Sequence, residues 1–277
     1  MKHKKKKRII FNVLYAVFGT VFVVAAIMLS VNLIGTHKAN EEFKGLQDLY
    51  GSLYQDGDLS EENVGVDGEE TNTDIPQGGD QQQPSPVKPS DPAVKRNLTE
   101  LIKKNADCVG WIYQKGTKLN YPVMHTPADP EKYLRRSFYG KNTTEGVPFI
   151  DARCDLSSSH LILYGHNMNN DTMFGSLKYY TKKSYFSKHP TLELETTVGG
   201  VKQFKIFAAC FVKVDDYIYS VTDFKTQEKY DKFVNYVKSK SFYDTGVNPT
   251  FGQQIITMST CYGKDKTNRL VVFAVNA

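Results

Sequence analysis

Three residues, each at or beside the end of an apolar run, carry the side chains that acyl transfer through a cysteine thiol requires. Cys261 ends the run Thr257–Cys261, Arg269 opens another apolar run eight residues later, and His166 follows the run Leu161–Gly165. A thiolate attacks a carbonyl carbon, an imidazole moves the proton, and a guanidinium holds the negative charge that develops on oxygen. The short connection between Cys261 and Arg269 suits a hairpin, which would make the two residues neighbours. The pattern therefore predicts a Cys–His–Arg acyl-transfer site.

Four histidines compete for the role of the base. His166 follows Gly165, which lets the backbone turn, and it precedes a polar loop. His125 ends a short apolar run and stays an alternative near a cleft. His160 precedes an apolar strand and is expected to face solvent, as is His189, which lies in a turn flanked by lysines. We predict that His166 is the base, with His125 as the alternative.

The elements that carry these residues have the pattern of a β protein. Short β-type runs separated by Gly, Pro, Asn and Asp predict a mostly antiparallel barrel. The predicted strands are Leu119–His125, Val147–Asp151, His160–His166, Thr191–Thr196, Phe204–Val214, Gln254–Thr260 and Arg269–Asn276. Helical periodicity predicts two inserted helices, Asp171–Tyr180 and Thr226–Lys240. A further helix is expected to start at Asn97, with Glu100 reaching back to complete a capping box.

The N-terminus indicates a membrane anchor. Residues 1–8 carry six positive charges, and residues 9–35 carry no charged side chain. A helix of about 20 residues crosses the hydrocarbon core of a bilayer, and flanking lysines stay on the cytoplasmic side. A cleaved signal peptide has an apolar core of only about 7–15 residues. We therefore predict an uncleaved signal-anchor over residues 9–35, which places the rest of the chain outside the cell.

The remaining chain divides by composition into three parts. One helical face of Phe43, Leu46, Leu49, Tyr50 and Leu53 predicts a juxtamembrane helix over 36–54. Residues 55–92 carry ten acidic side chains against one basic one and are expected to form a disordered linker that lifts the next domain off the bilayer. Residues 93–277 have a net charge of +9 and the length of one extracellular catalytic domain. This basic surface favours either solubility alone or contact with an anionic wall or membrane.

The cysteines and the charge pattern exclude several other classes of protein. Cys108, Cys154, Cys210 and Cys261 are too few and too scattered for a disulfide framework, and the first three are expected to be structural. No Cys/His spacing is typical of a zinc site, so neither a metal nor another cofactor is expected. The chain has no basic stripe with interleaved aromatic residues, so nucleic acid is not an expected partner.

Taken together, the motifs resemble those of the sortases, a family of cysteine transpeptidases. The run Thr257–Cys261 is similar to the signature TLxTC, with Met258 in the leucine position. Tyr164-Gly-His166 is similar to the histidine motif of the family, and Arg269-Leu-Val-Val is similar to the strand that bears its arginine. The resemblance covers roughly residues 97–277.

Further motifs resemble class B sortases in particular. These are Val109–Ile112, Tyr121–Val123 and Thr172–Phe174, together with the N-terminal helix and the helix before the cysteine strand. The resemblance implies an eight-stranded sortase β-barrel with an N-terminal helix and an inserted late helix, following one transmembrane helix. It also implies a location on a Gram-positive cell surface.

The family resemblance implies a mechanism and partners. Cys261 would attack the carbonyl of the threonine in a C-terminal sorting motif of a secreted protein, giving a thioacyl-enzyme. His166 would protonate the leaving amine and then deprotonate an amino group of peptidoglycan or its precursor. Arg269 would stabilise the oxyanion, and Thr260 and Ser259 would help to bind the substrate. The thioacyl intermediate predicts ping-pong kinetics.

Three questions stay open at the level of sequence. The sorting motif is either NPxTN-like or LPxTG-like, because the loops that shape the pocket cannot be placed. A pilin-polymerising sortase would use a lysine of a pilin subunit as the nucleophile. A surface-binding module without enzymatic activity could keep the same barrel, although it would have no need for an intact Cys261, His166 and Arg269.

Overall fold

A computed structural model describes residues 2–51, 97–263, 265 and 267–277. The predicted acidic linker, 55–92, lies outside the described residues, as does the end of the predicted juxtamembrane helix, 52–54. The division of the chain into a tail, an anchor, a linker and a catalytic domain therefore stays a prediction.

Eight strands close into a barrel in the order β1-β2-β3-β4-β7-β8-β6-β5. Their bounds are β1 Cys108–Tyr113, β2 Asn120–Met124, β3 Phe149–Ile150, β4 His160–Tyr164, β5 Thr191–Thr196, β6 Gly200–Lys213, β7 Ile255–Cys261 and β8 Asn268–Asn276. The pairs β2–β3 and β4–β7 are parallel, and the other neighbouring pairs are antiparallel. The predicted eight-stranded, mostly antiparallel barrel is confirmed.

Two local predictions from the periodicity were wrong. Strand β1 was missed, because Gly110 interrupts its apolar pattern. This glycine is needed there, since a Cβ at Gly110 would lie 2.3 Å from the carbonyl oxygen of Glu195 on β5.

The predicted helix over 171–180 does not form at its start, because Asp171 and Met173 have φ angles of 66° and 53°, which a right-handed helix excludes. A 3-10 helix over Gly175–Thr181 and the short helix α3, Lys183–Lys188, follow instead.

The inserted helix α4, Gln227–Lys240, lies on the outer side of the barrel between β6 and β7. Its N-cap is Thr226, whose hydroxyl accepts a hydrogen bond from the Lys229 backbone amide at 3.3 Å. The buried face of α4 includes Phe233, which packs edge-on against Phe273 of β8 with ring centroids 6.1 Å apart. This packing forms a second apolar core outside the barrel and fixes the backbone that leads into the cysteine strand.

The N-terminal helix α1, Lys2–Tyr50, is continuous and ends against the barrel. Within the described chain, α1 holds the stretch from Leu14 that is long and apolar enough to cross a membrane. At its C-terminal end the Tyr50 ring stacks on Trp111 of β1 at 4.1 Å, and Phe43 meets Tyr121 of β2 edge-on at 5.3 Å. The end of α1 is thus part of the folded domain rather than a free connection.

The next helix, α2, Leu98–Lys104, begins beside the end of α1. The Asn97 backbone amide donates to the Tyr50 carbonyl at 3.3 Å, and the Asn97 side chain accepts from the Glu100 amide at 3.3 Å. Asn97 is the predicted cap, but the Glu100 carboxylate pairs with Lys103 instead of closing a capping box. The chain therefore leaves α1 and enters α2 at neighbouring points.

Candidate active site

Strands β7 and β8 bring the predicted nucleophile and guanidinium to one end of the barrel. Cys261 is the last residue of β7 and lies directly opposite Arg269 in the antiparallel register. Residues directly opposite in such a pair project to the same face of the sheet. The six preceding residues of β7 are buried and Cys261 is exposed, so the strand delivers the thiol to the surface at its end.

Strand β4 runs parallel to β7 and delivers His166 to the same end of the barrel. Tyr164 is in register with Ser259, and the Gly165 amide donates to the Ser259 carbonyl at 3.3 Å. The Thr260 hydroxyl donates to the Gly165 carbonyl at 2.7 Å. Two hydrogen bonds therefore tie the backbone before His166 to the residues that precede Cys261.

The histidine is held by a backbone carbonyl. Nε2 of His166 lies 2.7 Å from the carbonyl oxygen of Leu134. Because a carbonyl only accepts, Nε2 must carry a proton, and Nδ1 is the nitrogen left to exchange one. Burial lowers the pKa of His166 below its usual value, and nearby Arg135 lowers it further, whereas the Leu134 carbonyl and Glu145 oppose this shift. The imidazole is therefore biased towards its neutral form.

A cleft of about 460 Å³ contains all five predicted site residues. These residues are Ser259, Thr260, Cys261, His166 and Arg269. Strand ends converge here because β4, β7 and β8 are neighbours in the barrel. The arrangement places a nucleophile, a proton carrier and a cationic hydrogen-bond donor around one cavity, and these are the groups that acyl transfer requires.

The hydroxyls of Ser259 and Thr260 are both engaged with the protein. The two residues are 1% and 2% exposed. The Ser259 hydroxyl lies 2.7 Å from the hydroxyl of Tyr219, and Thr260 binds the Gly165 carbonyl. A substrate contact by either hydroxyl would have to share or replace these bonds. The geometry therefore favours a role for Thr260 in holding the backbone that leads to His166.

The opposite wall of the cleft contains polar residues that the sequence analysis missed. Asp151, just after β3, accepts hydrogen bonds from Arg153 Nη2 at 2.7 Å and from the Tyr164 hydroxyl at 2.9 Å. Burial raises the pKa of Asp151, but the bonds from Arg153 and Tyr164 outweigh it and keep this carboxyl below its usual pKa. In the sequence, Asp151 was marked only by an Asp-x-Arg spacing at the end of a strand. That spacing by itself is weak evidence for a site residue.

A second missed residue lies beside the nucleophile. The side-chain amide of Asn167 donates to the backbone carbonyl of Cys261 at 2.9 Å. Asn167 directly follows His166, so this bond joins the histidine loop to the end of β7. The sequence shows that Asn167 follows the predicted base. It does not show that the Asn167 side chain reaches the backbone of Cys261.

Among the four histidine candidates, His166 is the one that lines the cleft. The expectation that His160 faces solvent was wrong, because the residue is fully buried, with Nε2 at 2.7 Å from the Thr257 hydroxyl and Nδ1 at 2.6 Å from the Val221 carbonyl. Burial lowers the pKa of His160 to about 4, so it stays neutral inside the fold. His189 is half-buried, with Nδ1 at 3.2 Å from the Lys115 carbonyl.

The four cysteines separate clearly by environment. Cys108, Cys154 and Cys210 are buried, whereas Cys261 is exposed. Burial raises the pKa of Cys108 to about 12, that of Cys154 to about 11 and that of Cys210 to about 12. Because the thiolate is the reactive form, burial and a raised pKa both disfavour reaction at these three thiols, and Cys261 is the accessible one.

Comparison with known proteins gives one consistent family. A domain family described as the sortase domain matches residues 112–277. Sortase B of Staphylococcus aureus is 36% identical over 185 residues, which cover 65% of this chain and 75% of the relative. Sortase B of Listeria monocytogenes is 31% identical over 170 residues, covering 61% of this chain and 68% of the relative.

Solved structures with this fold carry the same description. A Staphylococcus aureus sortase B–substrate complex superposes with a TM-score of 0.60 at 35% identity, covering 65% of this chain and 84% of that chain. Sortase B from Bacillus anthracis superposes with a TM-score of 0.66 at 27% identity, covering 88% of this chain and 99% of that chain. The second alignment extends beyond the region matched in sequence.

Proposed function

The chain belongs to the sortase family as a cysteine transpeptidase of the class B type, and we propose that it attaches secreted proteins to the cell wall. It cleaves a C-terminal sorting motif after its threonine and transfers the threonyl carbonyl to an amino group of peptidoglycan or its precursor. The observation that carries this proposal is the single cleft in which Cys261, His166 and Arg269 meet. A related sortase B has been solved as a complex with substrate, which supports a sorting-motif protein as the first substrate.

The first half of the reaction forms a thioester. The Cys261 thiolate attacks the threonine carbonyl, and a tetrahedral intermediate forms with negative charge on its oxygen. The C–N bond then breaks, and the leaving amine takes a proton from His166 in its protonated form. The exposed position of Cys261 at the end of β7 supports this role, because an extended peptide can lie across the strand end.

The second half reverses the proton transfer. An incoming amine attacks the thioester carbonyl, His166 accepts the proton of the amine, and the C–S bond breaks to release the Cys261 thiolate. The Leu134 carbonyl fixes the proton on Nε2, so Nδ1 does both transfers. The lowered pKa of His166 favours its base form, which suits deprotonation of the incoming amine.

The guanidinium stabilises charge that develops on the substrate oxygen. Arg269 lies directly opposite Cys261 across β7 and β8, and both residues line the cleft in which the substrate carbonyl would lie. One donor, Nη1, also binds the backbone carbonyl of Asn268 at 3.1 Å, which limits the freedom of the side chain. A donor that is already oriented before the reaction stabilises an oxyanion with little reorganisation.

We propose that α1 crosses the cell membrane with its N-terminus in the cytoplasm. The basic residues at its start and the apolar stretch from Leu14 support this orientation. The barrel then lies outside the membrane, on the surface where cell-wall precursors and secreted proteins meet. The tight packing of Tyr50 on Trp111 keeps the barrel close to the outer end of the helix.

A direct test is a transfer assay with the purified full chain in detergent. Fluorescent peptides that contain NPxTN-like and LPxTG-like motifs are incubated with and without an oligoglycine amine, and the products are separated by chromatography. We expect cleavage after threonine and a new amide product that requires the amine. Replacing Cys261 by Ala should abolish both, while replacing the buried Cys210 by Ala should not. Full turnover by Cys261→Ala would overturn the proposal.

A further inference from the structure

The backbone that follows β4 turns away from β7 just before it would reach the nucleophile. The Gly165 amide, just past the end of β4, still donates to the Ser259 carbonyl at 3.3 Å. Because bonds in a parallel ladder recur at every second residue of a strand, the next amide would come from position 167 and would bind the Cys261 carbonyl. The backbone at 167 instead pairs with Met173 in an isolated antiparallel bridge. The ladder therefore ends at the point where it would have held the nucleophile.

The side chain of Asn167 supplies the donor that the backbone would have supplied. Its Nδ2 group donates to the Cys261 carbonyl at 2.9 Å. A carbonyl only accepts, so the amide nitrogen rather than the amide oxygen must face it. One residue further on, the Tyr262 amide donates to the Asn268 carbonyl of β8 at 3.2 Å. The end of β7 is therefore held from both sides, by β8 and by the loop that contains His166.

This loop, residues 166–174 and here called the histidine loop, is closed by its own contacts. The Phe174 amide donates to the His166 carbonyl at 3.0 Å, and the Phe174 ring is fully buried. Met173 is also buried and has a φ angle of 53°, a conformation that costs free energy for residues other than glycine. Packing fixes this backbone, so His166 and Asn167 are held as one unit.

We propose that Asn167 is a positioning residue for acyl transfer, whose side-chain amide takes the place of the missing ladder bond and holds the end of β7 in place against the histidine loop. Asn167 is half-buried and is not among the described residues that line the cleft, so it acts through the Cys261 backbone rather than on the substrate. Both half-reactions need Nδ1 of His166 close to the group that the Cys261 sulfur carries. This inference deepens the proposed function and rests on it.

A second asparagine in the same loop uses the opposite end of its amide. Oδ1 of Asn170 accepts from the Thr172 hydroxyl at 2.7 Å and from the Thr172 amide at 3.3 Å, and Asn170 is exposed. Asn170→Asp keeps an acceptor in that place, whereas Asn167→Asp keeps the size of the side chain but replaces its donor by an acceptor. The pair of variants therefore separates the donated bond from the shape and the charge of the side chain.

The test is steady-state transfer of a sorting peptide to oligoglycine by the full chain in detergent, with Asn167→Ala, Asn167→Asp and the matched control Asn170→Asp. We expect both changes at 167 to lower kcat by about 10–10²-fold, because a misplacement of about 1 Å between reacting groups can cost about 10²-fold. KM should change little, since Asn167 does not line the cleft. Asn170→Asp should keep the kcat of the wild type, although it adds the same charge to the loop.

A second measurement separates misplacement from partial unfolding. Single-turnover acylation is followed by rapid quenching and mass spectrometry. Its amplitude counts the folded and competent molecules, and its rate constant reports the positions of the reacting groups. We expect Asn167→Asp to have the amplitude of the wild type and a lowered rate constant. A lowered amplitude with an unchanged rate constant would show a role in folding alone and would overturn the proposal.

Two further results would also overturn it. A wild-type kcat in Asn167→Asp would show that the shape of the side chain, and not the donated bond, matters at this position. Equal losses in Asn167→Asp and Asn170→Asp would attribute the effect to the added charge. In both cases the wild type still transfers the peptide, so the proposed function stands. A wild type that forms no acyl-enzyme refutes the proposed function, and this inference with it.

Discussion

Replacement of Arg269 by lysine separates two roles for the guanidinium. Lysine keeps the positive charge but has a single donor group in place of a planar fork with five N–H donors. In the structure Arg269 lies opposite Cys261, with Nη1 bound to the Asn268 carbonyl at 3.1 Å. A lysine ammonium cannot keep that contact and also reach the substrate oxygen with a second fixed donor.

The expected loss follows from the number of oriented donors removed. Loss of one oxyanion donor lowers kcat by about 10²–10³, or about 2.7–4 kcal/mol of transition-state stabilisation. We therefore expect Arg269→Lys to lose about 10²–10³ in kcat, nearly as much as Arg269→Ala. A purely electrostatic role predicts instead that lysine restores most of the activity that alanine loses.

The assay is steady-state cleavage of a fluorescent sorting peptide by the detergent-solubilised full chain. Arg136→Lys, at an exposed arginine outside the cleft, is the matched control and should behave like the wild type. Circular dichroism checks that each variant is folded. A kcat/KM for Arg269→Lys near the wild-type value would refute the directed hydrogen bonds and reduce Arg269 to a general electrostatic role.

Three further predictions test the base, the docked helix and the electrostatics of the site. His166→Ala should lower kcat by at least about 10²-fold, and a milder loss than His125→Ala in the same peptide assay would show that the base is misassigned. Tyr50→Ala removes a ring stacked on β1 and should lower the free energy of unfolding by about 3 kcal/mol in denaturant titration, whereas the exposed Tyr139→Ala should have little effect. Arg135→Gln removes a cation that lowers the pKa of His166. The acid limb of the pH profile for amine transfer should therefore move to higher pH, and an unmoved limb would exclude this coupling.

The sequence predicted the barrel and the main site residues because both depend on local signals. Alternating runs bounded by turn residues predicted seven of the strands, and the family motifs predicted that Cys261, His166 and Arg269 would meet. Strand β1 was missed because Gly110 breaks its pattern, and the need for that glycine is set by the approach of Glu195 on β5. Such a contact between distant parts of the chain leaves no periodic signal.

The surroundings of the site could not be predicted for the same reason. Asp151 acquires its role from Arg153 and Tyr164, and His166 is oriented by the Leu134 carbonyl, a group that every residue has. His160 looked like a solvent-facing residue before a strand, but its partners come from the distant residues Val221 and Thr257. Tertiary packing decides these pairings.

The central claim is that Cys261 forms a covalent acyl-enzyme, and peptide-mapping mass spectrometry tests it most directly. The full chain is incubated with a sorting peptide without an amine acceptor, quenched in acid, digested and mapped. We predict a mass increase equal to the peptide fragment that ends in threonine, located on Cys261, and its disappearance when oligoglycine is added. An adduct on another residue, or cleavage of the peptide with no adduct on Cys261 after rapid quenching, would contradict the account.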